Sequence, residues 1–156
     1  MYIRKMLVIV FLLYSAKAFS CSCVPQPENK RKGVEDALGY SSSVVLALAT
    51  SVTREPPEDK HYDRKKDITE FSEIESWKGV HGKKFYTKIV TVCCMCGFRF
   101  EQGETYLLYL SGPDAEGFYT TSTCSRTKKL TGAKVDVQIL RKLRPDQSIK
   151  LEHELR

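Results

Sequence analysis

Ser43-Val-Val-Leu-Ala-Leu-Ala-Thr-Ser-Val-Thr53 is the stretch that decides the fold class. It is apolar and β-branched, too short for an ordinary helix, and rich in side chains that fit a pleated, half-buried surface, so it reads as a first strand. Downstream, residues 54–67 are charged and contain Pro56-Pro57, which predicts an exposed loop. Phe71, Ile74 and Trp77 recur every three residues as on a helix, but the flanking Ile68-Thr69 and Lys78-Gly79 argue for a strand broken by a bulge. Residues 84–92, 104–110 and 118–124 read as three more strands, separated by the turn-forming stretches 97–103 and 111–117.

Two helices flank these strands. Residues 28–40 carry Val34, Ala37 and Leu38 at helical spacing after the Pro25-Gln26-Pro27 turn, with Gly39 as the expected end. Residues 133–143 place Val135, Ile139, Leu140 and Leu143 at helical spacing, and Pro145 stops that helix. The expected fold is mainly β: a small closed five-stranded barrel with short flanking helices, because closure removes sheet edges that a short exported domain would otherwise expose. Residues 21–145 form that domain and 146–156 a polar tail.

Composition bounds the function. With 42% hydrophobic and 28% charged positions in 156 residues, the chain is ordinary for one globular domain. Setting aside Arg4, Lys5 and Lys17, which lie in a segment expected to be removed, leaves 22 of the 25 basic residues against 19 acidic ones. The longest basic run is Lys30-Arg31-Lys32, too little to call for nucleic acid. His61, His81 and His153 lack the paired spacing of a helical zinc site. Glu73 and Glu75 read as strand surface rather than an acid–base couple, so no enzyme and no cofactor is expected. Trp77, Tyr106, Tyr109, Phe118 and Tyr119 read as core.

The amino terminus reads as a secretory signal, residues 1–20. Arg4 and Lys5 precede the apolar run from Met6 to Tyr14, which falls far short of the about 20 residues a bilayer span needs. Ala18 and Ser20 supply small residues for cleavage before Cys21, leaving a secreted chain, periplasmic in a bacterium, with no transmembrane helix. A lipoprotein signal would also put a cysteine first, but Phe19 is bulky and Ala18 stands where leucine is wanted.

All six cysteines, Cys21, Cys23, Cys93, Cys94, Cys96 and Cys124, follow that segment, so disulfides are expected. Cys21 and Cys23 are two apart in an extended, proline-flanked stretch, which points their side chains to opposite sides and toward different partners. A thiolate site for zinc or copper from Cys21, Cys23, Cys93, Cys94 and Cys96 is the competing reading.

Cys21-Ser22-Cys23-Val24-Pro25, then Phe71 to Trp77-Lys78-Gly79, Cys96-Gly97-Phe98, Gly103-Glu104-Thr105-Tyr106-Leu107 and Thr120-Thr121-Ser122-Thr123-Cys124-Ser125 follow one another in a recognisable order. The chain thereby resembles the N-terminal, netrin-like (NTR) domain of the tissue inhibitors of metalloproteinases, over roughly residues 21–143. Cys124-Ser125-Arg126-Thr127 and Trp77-Lys78-Gly79 are similar to single-domain, bacterial-type members, and no cysteine follows Cys124. The resemblance implies an OB-type barrel with disulfides Cys21–Cys96 and Cys23–Cys124. It leaves Cys93 and Cys94 unassigned.

It also implies a mechanism: the α-amino nitrogen and carbonyl oxygen of Cys21 chelate the catalytic zinc of a metalloprotease. Such a zinc keeps an open position normally filled by water. An amine next to its own carbonyl can close a five-membered chelate there, and an α-amino pKa of about 7.7 to 8 lets it deprotonate near neutrality. Ser22 would face the adjoining specificity pocket, Val24 and Pro25 would lie along the cleft, and Cys94-Met95-Cys96 would flank them. A non-inhibitory NTR-like envelope or matrix module that binds proteins by another face is the alternative, since one fold serves several functions.

Overall fold

In a computed structural model, residues 23–55, 65–79, 84–91 and 96–144 are described. They form a mainly β structure: helix α1 (Lys30–Tyr40), strands β1 (Ser43–Glu55), β2 (Lys65–Lys78), β3 (Lys84–Thr91), β4 (Thr105–Leu110), β5 (Phe118–Tyr119) and β6 (Lys128–Lys129), and helix α2 (Leu130–Leu143). The strands make one mixed sheet in the order β5-β3-β2-β1-β4-β6, antiparallel except for the short β3–β5 pair.

Alternation along the two central strands buries both faces of the sheet. From β1, Val45, Ala47 and Ala49 join Tyr106, Leu108 and Leu110 of β4 in a core with Phe71, Phe85, Ile89 and Phe100. The Phe71 ring stacks on Phe85 at 5.3 Å and meets Phe100 edge-on at 4.9 Å. Val44 and Leu46 of β1 and Leu107 and Tyr109 of β4 face the other way, onto Val34 of α1 and Ala133, Val137 and Leu140 of α2. The expected bulges are present: the β1–β2 register shifts between Val44 and Val45 and between Leu46 and Ala47, opposite Trp77 and Ile74. This is how a three-residue spacing fits a strand, with Phe71 in one core and Trp77 packed against the other.

Several expectations need correction. The five-stranded closed barrel is replaced by an open six-stranded sheet. The stretch 118–124 pairs with β3 at only two positions and then makes isolated bridges, Thr120 to Ser111 and Ser122 to Gly97. Beyond there, side chains stand in for a ladder: the Thr121 hydroxyl donates to the Tyr109 carbonyl at 2.8 Å, and the Tyr109 N–H donates to Thr127 Oγ1 at 2.9 Å. The supposed loop 54–67 is strand at both ends, since Arg54 pairs with Asp67 and Glu55 with Lys66. Helix α2 begins at Leu130, three residues early.

Helix α1 runs one residue past Gly39, to Tyr40. Asn29 caps its start by accepting from the Lys32 N–H, and the Lys78 ammonium donates to the Leu38 and Gly39 carbonyls at its end, at 2.9 and 3.0 Å. The lysine of Trp77-Lys78-Gly79 thus supplies the cation that the carbonyl end of a helix favours. Of the expected aromatic core, Tyr106, Tyr109 and Tyr119 are buried, whereas Trp77 and Phe118 are half-buried. Pro145 and the tail lie outside the described residues.

Candidate functional site

Residues 23–27 precede α1 as an exposed stretch that is neither helix nor strand, and Pro25 and Pro27 bias the residues before them, Val24 and Gln26, away from helix. Val24 is 84% exposed, so apolar burial does not hold this segment down. Two other ties do.

The first is covalent. Cys23 bonds Cys124, a pair 101 residues apart in sequence with Cα atoms 5.1 Å apart, as the resemblance implies for these two. Cys124 sits in a turn that also holds the Cys96 segment: the Thr123 N–H donates to the Cys96 carbonyl at 2.8 Å, and Ser122 bridges Gly97. Cys96 is itself disulfide-bonded. Its expected partner, Cys21, lies outside the described residues, as do Ser22, Cys93, Cys94 and Met95. Three segments remote in sequence, 23–25, 96–97 and 120–124, therefore converge on one turn.

The second tie is polar. Arg126, two residues past that cysteine, donates through Nη1 to Gln26 Oε1 at 3.0 Å. Its Nε and Nη2 clasp the Asp136 carboxylate of α2 at 2.9 to 3.2 Å, and Lys128 pairs with the same carboxylate at 2.9 Å. Only 10% of the Arg126 side chain and 4% of Asp136 are exposed. A bidentate pair at this depth fixes geometry, and removing one partner would strand a buried charge. A Cβ at Gly33 would lie 2.8 Å from Arg126 Nη1, which explains a glycine inside α1: the guanidinium needs that space. Tyr109 packs beside this network. Burial pushes its phenol up, Asp136 adds to the rise and Arg126 opposes it, so the group stays a neutral hydroxyl.

Sequence reasoning missed Gln26, Arg126 and Asp136. Two signals pointed there. Gly33 interrupts an otherwise helix-forming stretch, and Asp136 falls between Ala133, Val137 and Leu140 on the apolar stripe of α2, where a carboxylate needs a buried cation. Among the described residues, no group of three or more histidine, cysteine or acidic side chains could hold a metal ion. No helix there is long and apolar enough to cross a membrane.

No family model and no curated protein matches the chain.

Proposed function

We propose that this chain is an exported, NTR-type protein module with an OB-like sheet, and that it inhibits a zinc metalloprotease through its processed amino terminus. Cleavage before Cys21 frees an amine that, with the Cys21 carbonyl, replaces the zinc-bound water. Ser22 faces the adjoining pocket, Val24 and Pro25 lie along the substrate cleft, and Cys94, Met95 and Cys96 flank them, with a Cys21–Cys96 bridge completing the staple.

The observation that supports this reading is the fastening of an exposed segment by the Cys23–Cys124 disulfide and the Arg126–Gln26 hydrogen bond. A segment already tied at its base loses less conformational freedom on entering a cleft, so more of its contact energy remains as affinity. Two features of this region fit recognition better than bare stability: Val24 is left open to solvent, and the tie at Gln26 comes from a residue already satisfied by Asp136.

The test compares the processed chain beginning at Cys21 with one carrying an additional alanine before it, against a panel of zinc metalloproteases. The extension displaces the amine without touching the fold, so inhibition by the extended form should be weaker than by the native form by at least about a hundredfold, in line with loss of a direct metal ligand. Equal inhibition by both forms rejects the wedge. A folded native chain that inhibits none of the panel supports the non-inhibitory binding module instead.

A further inference from the structure

Among the described residues, the two most exposed large apolar side chains are Tyr40 at 90% and Val24 at 84%. Both line one cleft of about 560 Å³, within the range of small-ligand and peptide side-chain sites. Its walls come from three places: the fastened segment 24–27, the last turn of α1 with Ser41, and the 120–126 stretch, with Tyr109 also in the lining. Isolated exposed apolar groups need no explanation, but here two of them border one cleft and give it an apolar rim.

The charges of the cleft indicate its occupant. Arg126 reaches the lining but is already engaged by Asp136 and Gln26. Asp36 also lines the cleft, and it makes no ion pair or hydrogen bond among the described residues. Asp36 and Tyr40 stand four apart on α1, which puts a carboxylate and an open aromatic ring on the same helix face. A carboxylate beside an exposed ring suits a guanidinium, which can pair with one and stack on the other. Thr120 and Ser122 also line the cleft, and residues of this type carry hydroxyls that can bind a peptide backbone.

We infer that this cleft receives an arginine side chain carried on an extended segment of a partner protein. The guanidinium lies between Asp36 and Tyr40, and the residues beside it rest on Val24 and Pro25. Val24 and Pro25 are shared with the zinc-directed edge, but Asp36 and Tyr40 are not, and the surface does not depend on the terminal amine.

The probe is the capped pentapeptide acetyl-Gly-Val-Arg-Val-Gly-amide, titrated into the isotope-labelled, oxidised chain and followed by amide NMR shifts, with the citrulline peptide as control. The arginine peptide should move amides in 24–26, 36–41 and 120–126 and bind about fivefold or more tighter than its neutral counterpart. Asp36→Asn and Tyr40→Leu should each remove that preference without changing the circular dichroism spectrum, and the alanine extension before Cys21 should leave it intact. Equal binding of the two peptides, shifts centred elsewhere, or no shifts up to about 10 mM peptide, beyond the weakest useful affinity, would overturn the inference. So would cleft shifts that grow with protein concentration alone, since a second copy would then be the occupant.

Discussion

The central sheet and the segment 23–27 are both held in place, but by different physics. In the sheet, β1 and β4 turn apolar side chains to both faces, and order follows from buried area. In the segment, Val24 is open to water and order follows from one disulfide and one buried guanidinium. An exposed segment can thus be tied in place without being buried, when its ties run beneath it rather than through it.

The comparison breaks most sharply where burial is removed. Phe71→Ala deletes a ring touching Phe85 and Phe100 and should lower unfolding free energy by about 3 to 5 kcal/mol in urea titration. NMR relaxation of residues 23–27 in the still-folded fraction should not change. Loosening of that segment would mean that the two regions share one source of order.

The converse variant removes the covalent tie. Replacing Cys23 and Cys124 together with serine should cost about 2 to 4 kcal/mol, since the bridge closes a long loop, and it should raise the fast motion of residues 23–27 selectively. An unaltered segment would show that Arg126 alone suffices.

The finest effect separates packing from propensity at Gly33. Gly33→Ala should cost about 1 kcal/mol in the native background, because the new methyl crowds the Arg126 Nη1 that holds Gln26, yet gain about 1 kcal/mol in an Arg126→Ala background, where helix propensity alone acts. The same sign in both backgrounds would refute the contact.

The strands of the central sheet were legible because their side chains announce them. Val44 to Ala49 and Tyr106 to Leu110 are apolar on both faces, which a doubly covered sheet requires. The bulged β2 could be read from Phe71, Ile74 and Trp77 once Lys78-Gly79 closed the stretch. The open edge of the sheet was not legible, because whether 118–124 continues a ladder depends on which groups meet the Tyr109 backbone. The Thr121 and Thr127 hydroxyls do so from a distance that no local pattern encodes. β6 was missed for a similar reason: Lys128-Lys129 is a strand only because Tyr106 and Leu107 lie beside it. At the candidate site, cysteine spacing said only that Cys21 and Cys23 take different partners, and the pairing came from the resemblance; the Arg126 clasp spans 10 residues to Asp136 and 100 to Gln26 and could be suspected only from the misplaced glycine and carboxylate.

The account rests on a processed amine presented by a fastened edge, and intact mass with disulfide peptide mapping of the exported protein tests it directly. The expected result is a chain beginning at Cys21 with an unmodified amine, Cys21 bonded to Cys96 and Cys23 to Cys124. A different first residue, an acylated amine, or free thiols at positions 21 and 23 would contradict it.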